Sequence, residues 1–176
     1  NPFSAITGVN TLFIGLMNQE VFRNLDFSKL KLALGGGMAV QDVVADEWEQ
    51  LTNCPLLEAY GLSETSPAAT INPYNGKHKK GTIGLPLPST EIKIFDDERN
   101  EVPVGEPGEI GIKGPQVMKG YWNLPEETAN CMHGEFFLTG DIGIMDNEGY
   151  FKIVDRKKEM ILVSGFNVYP NDVEKA

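Results

Sequence analysis

Near the start of the chain the apolar residues recur at helical spacing. Val9, Leu12, Phe13, Leu16 and Met17 follow the i, i+3, i+4 rule within residues 1–19, which predicts an amphipathic helix needing a partner. A short apolar run at 30–34 predicts a buried strand. It leads through Gly35, Gly36 and Gly37 into a second helical pattern, whose apolar face is Val40, Val43, Val44, Trp48 and Leu51 with acids opposite. Residues 56–60 predict another strand, closed by Gly61 and the polar cluster Ser63, Glu64, Thr65 and Ser66. This strand, helix, strand order belongs to a parallel sheet. From about residue 81 the period changes to two. Residues 91–95, 109–113, 142–145 and 150–154 alternate, with turns at 96–100 and 146–149, and Pro125 opens a short helix over 125–132.

The predicted fold class is therefore α/β. The end of a parallel-sheet α/β subdomain, residues 1–80, is followed by an antiparallel, barrel-like β subdomain, residues 81–154. The charged run at 155–159 reads as a solvated turn or as a boundary between two bodies, and residues 160–176 begin a new strand and a helix start. At that start Asn171 and Glu174 have the spacing of a capping box, and the chain stops within the turn they would open. With no Met at position 1, the sequence reads as an excerpt from a longer protein.

Composition narrows the function classes. The chain has 176 residues and a net charge of −10, so its surface repels phosphate backbones and nucleic-acid binding by a general basic footprint is not expected. Apolar residues make up 41% and aromatics 9%, enough to form a core, so a disordered tail is excluded. Cys54 and Cys131 lack CxxC spacing and give neither a disulfide framework nor a zinc site, which suits the reducing cytoplasm. His78 and His133 lack ligand-spaced partners and read as surface residues. Residues 1–19 are neither a signal peptide nor a membrane span.

The remaining candidates lie at the carboxyl ends of predicted strands, the edge where open α/β sheets bind ligands. Gly35 to Gly37 would let a flat ring or a phosphate approach the backbone. Tyr60 offers a ring for stacking, Ser63 a hydroxyl for a phosphate oxygen, and Glu64 a carboxylate of the kind magnesium takes alongside phosphates. On spacing alone, Ser63 and Glu64 serve equally as a capped helix start. Thr139, Gly140 and Asp141 end one strand and begin another, where a carboxylate could accept both hydroxyls of a ribose. The same residues make an ordinary turn.

Four segments in this order resemble the adenylate-forming superfamily of acyl-CoA synthetases, nonribosomal peptide adenylation domains and beetle luciferases. They are Gly35-Gly36-Gly37-Met38; Tyr60-Gly61-Leu62-Ser63-Glu64-Thr65; Leu138-Thr139-Gly140-Asp141; and Asp155-Arg156-Lys157-Lys158 continuing to Ser164-Gly165-Phe166-Asn167-Val168-Tyr169-Pro170. Stretches such as Gly84-Leu85-Pro86-Leu87-Pro88-Ser89-Thr90-Glu91 and Gly114-Pro115-Gln116-Val117-Met118 are similar to bacterial long-chain fatty acid CoA ligases in particular.

The resemblance implies ATP, magnesium and coenzyme A as cofactors and a fatty acid as the acyl substrate. Gly37 would lie near the adenine, Tyr60 would stack on it, Gly61 would belong to the same nucleotide-binding segment, and Ser63 would contact the α-phosphate. Glu64 would hold magnesium, Asp141 the ribose hydroxyls, and Arg156 the ribose or phosphate side. Lys158 would be the hinge residue within 155–159, and Gly165 would border the pantetheine path. Ala39 departs from the usual proline after the glycines, and Ser63 from the commoner threonine. The resemblance places the phosphate loop and the catalytic lysine outside these 176 residues, so this chain by itself is expected to give no adenylation turnover. It leaves room for an aryl or medium-chain acid CoA ligase, for a noncatalytic nucleotide-binding relative, for a homodimeric parent, and for peripheral contact of a cytoplasmic parent with the inner membrane.

Overall fold

Strand β3 (Leu56–Gly61) pairs with a different neighbour along each half of its length, and that division organises the molecule. The computed structural model describes residues 2–157, together with the backbone of residues 161–163 and 166–168. Lys158, Gly165 and the helix start at Asn171 lie outside the described residues. Along Leu56 to Glu58, β3 runs parallel to β2 (Leu32–Gly35), which is itself parallel to β1 (Ala5–Gly8). Along Ala59 to Gly61 it runs antiparallel to β4 (Ala68–Ile71), which pairs in turn with the short β5 (Leu85–Pro86). The first sheet thus has the order β1-β2-β3-β4-β5.

Parallel neighbours require crossovers, and helices supply them. Between β1 and β2 lie α1 (Asn10–Met17) and α2 (Glu20–Arg23); between β2 and β3 lies α3 (Asp42–Thr52). The helices bury Phe13, Met17, Phe22, Val44 and Trp48 with strand residues Ala33 and Leu56 in one core. The expected single helix over 1–19 is corrected here. Its first part is β1, and in α1 only Phe13 and Met17 of the predicted apolar face are fully buried, while Val9 and Leu12 are exposed. The apolar face predicted for α3 also needs correction, because Val43 points to solvent and Ala45 takes its place in the core.

The second sheet contains β6 (Glu91–Phe95), β7 (Gly108–Lys113), β9 (Phe136–Met145) and β10 (Phe151–Arg156) in the order β10-β9-β7-β6, with β8 (Met132–His133) attached to β9. All its pairings are antiparallel, as the period of two predicts. Helix α4 (Pro125–Asn130) precedes β8, with Pro in its first turn, where the missing N–H has no helical partner to lose. Beyond them, β11 (Ile161–Val163) and β12 (Phe166–Val168) form an antiparallel pair. Ile92, Ile94, Ile110, Ile112 and Phe151 form a second core with Ala69 and Ile83, and Tyr60 and Leu62 pack against it. A bridge joins the sheets, the Ile83 amide donating to the Phe151 carbonyl at 2.8 Å and the Phe151 amide to the Gly84 carbonyl at 3.0 Å. The carboxyl end of β3 consequently stands where both sheets meet.

Residues 139–141 do not separate two strands, as expected from sequence. They lie inside β9, and the pairing shows how. Glu109 pairs with Ile142 and Gly111 with Leu138, so one residue of β7, Ile110, faces three of β9: Thr139, Gly140 and Asp141. The three residues form a bulge, the device by which strands re-aim a side chain.

Candidate functional site

Tyr60 and Asp141 are 81 residues apart in sequence, yet the Tyr60 hydroxyl donates to Asp141 Oδ2 at 2.6 Å. Strand β3 delivers the tyrosine and the bulge in β9 delivers the aspartate. Arg156, the register partner of Asp141 on β10, brings its Nε to 3.6 Å from Asp141 Oδ1. The guanidinium is largely solvent-exposed whereas the carboxylate is mostly covered, so the ion pair itself contributes little to stability and the arginine is free to engage another anion. Burial, reinforced by the neighbouring Asp141 charge, pushes the Tyr60 phenol well above its ordinary value. It therefore keeps its proton and acts as a donor at neutral pH. Three of the sequence-predicted residues thus form one cluster.

Gly61 follows Tyr60 at a register shift, where a Cβ would lie 1.8 Å from the Pro67 carbonyl oxygen. No side chain fits there. Ser63 and Glu64 sit in a single 3-10 turn, Ser63–Thr65. The role of satisfying the local backbone falls to Thr65 rather than to either of them, since the Leu62 amide donates to Thr65 Oγ1 at 2.9 Å and that hydroxyl donates to the Pro67 carbonyl at 2.7 Å. Ser63 is exposed, and the Glu64 carboxylate accepts a hydrogen bond from the Tyr121 hydroxyl at 2.9 Å. That bond pushes the Tyr121 phenol up to about 12. The loop carrying Tyr121 is held by a second bond, from the Met118 amide to the Glu64 carbonyl at 2.8 Å. Sequence reasoning did not single out Tyr121, because nothing local to it points toward a residue 57 positions earlier.

Gly37 lies in the turn leaving β2, and that turn is anchored twice. The Gly36 amide donates to the Gly8 carbonyl at 3.1 Å, and the Val40 amide donates to Glu58 Oε1 at 3.3 Å. A Cβ on Gly36 would sit 3.0 Å from the Ala59 carbonyl oxygen, so the glycine turn lies directly against the strand that carries Tyr60. His78 is exposed as expected, whereas His133 is half-buried, edge-on to Phe95 at 5.3 Å. The correction has a simple cause: β8 folds back on β9 and carries the ring into contact with β6. Both cysteines are free thiols.

Glu58 was also missed by sequence reasoning. Burial, opposed by the Val40 N–H and reinforced by the Asp42 charge, pushes its carboxyl from 4.5 up to about 7. Because the folded value lies above the unfolded one, the stabilising uptake of a proton is in place below about pH 4.5 and is lost as pH rises through about 7. Glu58→Gln keeps an oxygen for the Val40 amide and removes the charge. After a discount for the partial exposure of this group, the variant is expected to gain about 1–2 kcal/mol over wild type at pH 8 and to be near parity at pH 4.5. Urea unfolding at the two pH values checks this, and a gain that does not grow with pH contradicts it.

The family model for AMP-binding enzymes matches residues 2–122. The chain belongs to the AMP-binding enzyme family. Among curated members of the family, the long-chain-fatty-acid–CoA ligase of Escherichia coli O6:H1 is 58% identical over 173 residues, covering 98% of this chain and 31% of the relative. The enzyme of that name from Bacillus subtilis strain 168 is 46% identical over 170 residues, covering 96% of this chain and 30% of the relative. The chain thus spans about a third of the length of these AMP-binding enzymes. Among solved structures, ATP-bound MatB from Rhodopseudomonas palustris superposes with a TM-score of 0.88 at 35% identity, over 98% of this chain and 34% of MatB. The combination of a parallel-containing sheet and a curled antiparallel sheet is therefore that of the family's N-terminal domain. Among the described residues, no helix is long and apolar enough to cross a membrane.

Proposed function

We propose that this chain supplies the nucleotide-binding part of an ATP-dependent long-chain fatty acid CoA ligase. In the first step a fatty carboxylate oxygen bonds to the α-phosphorus of ATP as the bond to pyrophosphate breaks. In the second, the thiolate sulfur of coenzyme A bonds to the acyl carbon as AMP leaves. The Tyr60–Asp141–Arg156 cluster carries the reading, because a covered carboxylate beside a stacking ring and an exposed guanidinium is what an adenosine phosphate requires. Asp141 would accept the ribose hydroxyls, Tyr60 would stack on the adenine near Gly37, and Arg156 would meet the ribose or phosphate side. Ser63, open to solvent after Gly61, would reach the α-phosphate.

Glu64 would hold magnesium. Its carboxylate has about four acceptor sites and Tyr121 takes one, so capacity for a hard cation remains. Among the described residues no group of three acids, histidines or cysteines forms a metal cage, which fits an ion shared with substrate phosphates. When bound, the ion neutralises phosphate charge, and chemistry of this kind depends on such positioning and neutralisation. Lys158 as hinge, Gly165 beside the pantetheine path, the 1–80, 81–154, 155–159 and 160–176 division, and any peripheral membrane contact or homodimer of a cytoplasmic parent belong to the same proposal.

Identity of 58% over 173 residues permits a direct test. The chain is substituted for the matching segment of the Escherichia coli ligase, and pyrophosphate release from ATP is followed with a panel of acids. Palmitate-dependent release well above that with benzoate or octanoate is the expected result. A folded chimera that prefers an aryl or medium-chain acid, or that releases no pyrophosphate with any acid, overturns the reading.

A further inference from the structure

A bulge leaves backbone groups without ladder partners, and at 139–141 side chains take their place. The Thr139 hydroxyl donates to the Ile110 carbonyl at 3.0 Å, and the Gly140 amide donates to Glu109 Oε1 at 3.0 Å. Gly140 has φ +76, a conformation that a side chain would strain. The Gly140 carbonyl accepts from the Lys157 amide at 2.9 Å, and the Lys157 ammonium returns to Glu109 Oε2 at 2.9 Å. Asp97 lies 3.0 Å from the same ammonium on its exposed side. The Glu109 side chain is only 12% exposed, and its two oxygens join the residue before Asp141 to the residue after Arg156.

We infer that Glu109 is a positioning residue for the nucleotide site, clamping the bulge that presents Asp141 and tying it, through Lys157, to the strand that presents Arg156. The inference rests on the nucleotide reading above. Glu109 touches none of the reacting groups. It acts by fixing the two residues on either side of the clamp, and Lys157 supplies the positive charge that such a covered carboxylate needs. On the β7 side the ladder cannot perform this function, since the bulge leaves Asp141 without a β7 partner and only its β10 neighbour Arg156 remains paired with it.

The test is a titration of the ¹⁵N-labelled full chain with AMP, read by NMR, which reports the Gly140 amide shift and the affinity together. Glu109→Ala is expected to move the Gly140 resonance upfield, as a lost charge-assisted hydrogen bond requires, and to weaken AMP binding about tenfold or more in the folded protein. Glu109→Gln keeps an oxygen for the Gly140 amide but turns an NH2 toward the Lys157 ammonium, so it is expected to restore most of the Gly140 shift and to leave AMP about threefold weaker than wild type. Lys157→Met should retain the Gly140 shift and weaken AMP about threefold, by releasing the clamp on the β10 side. A merely structural role would lower the melting temperature of these variants and leave the affinity of the folded chain unchanged, which overturns the inference. Should Glu109→Ala fail to fold, an unchanged AMP affinity in Lys157→Met overturns it equally. If AMP does not bind the wild-type chain, the nucleotide reading fails and the positioning role fails with it; if wild type binds and the variants match it, the positioning role alone fails.

Discussion

Asp141→Ala is expected to weaken AMP binding by about a hundredfold, because hydrogen bonds to a charged group contribute roughly 1.5–3 kcal/mol and this carboxylate is the one that Tyr60 and Arg156 both face. In the ligand-free chain Asp141 already accepts from the Tyr60 hydroxyl at 2.6 Å. Removing the carboxylate therefore also leaves a mostly buried phenol without its acceptor, and a stability loss of about 1–3 kcal/mol accompanies the loss of affinity. The two effects separate in a second variant. Asp141→Asn retains an oxygen for the phenol and loses the charge, so stability should largely recover while AMP affinity stays about tenfold below wild type. Calorimetric titration with AMP, together with thermal melts of the same samples, reads both. An Asp141→Ala chain that binds AMP as wild type does would remove this residue from the proposed site.

The second large effect belongs to the core beneath β3. Trp48 is fully buried, edge-on to Phe13 at 4.9 Å and 5.7 Å from Phe22, so it ties α3 to both crossover helices before β2. Trp48→Ala should cost about 3–5 kcal/mol, and at this chain size it should lower the melting temperature by roughly 6–20 °C. Among the described residues, the Trp48 Nε1 has no hydrogen-bond partner. Trp48→Phe therefore gives up packing volume without breaking a hydrogen bond, and its cost should stay near 1–2 kcal/mol. Urea unfolding of the two variants checks the ordering. Equal losses would mean that the indole nitrogen matters in a way its surroundings do not explain.

Strands β6 and β7 were legible because their isoleucines recur at alternate positions, so the period of two survives in the sequence. Ile92 and Ile94 on β6 and Ile110 and Ile112 on β7 carry that signal into one core. Strand β1 left no such trace, since Ala5 to Gly8 is four residues long and precedes a helix whose apolar spacing dominates the window. Strand β4 follows a polar cluster and β5 is a Leu-Pro pair, so neither has the length for a pattern to register. The exposure of Val43 shows a different limit: helical periodicity identifies candidate faces, but which of two adjacent apolar residues turns inward depends on where the sheet lies. At the site, Tyr60, Glu64 and Asp141 stood out as chemistry-bearing residues at strand ends, with cap and turn readings beside them, and the motif resemblance assigned their roles and added Arg156. Glu58, Glu109 and Tyr121 were missed, because their partners lie 18 to 57 residues away: the pairing of β2 with β3 brings Val40 to Glu58, the pairing of β7 with β9 brings Gly140 to Glu109, and only the loop that returns to the end of β3 brings Tyr121 to Glu64.

The chain has two tryptophans, and they occupy opposite extremes of exposure: Trp48 at 0% and Trp122 at 89%. Its intrinsic fluorescence therefore divides into a blue component sheltered from aqueous quenchers and a red component open to them. Loosening of the helical layer changes the first, and displacement of the loop that reaches Glu64 through Tyr121 changes the second. The native polypeptide thus reports on these two regions through separate optical channels without any added label.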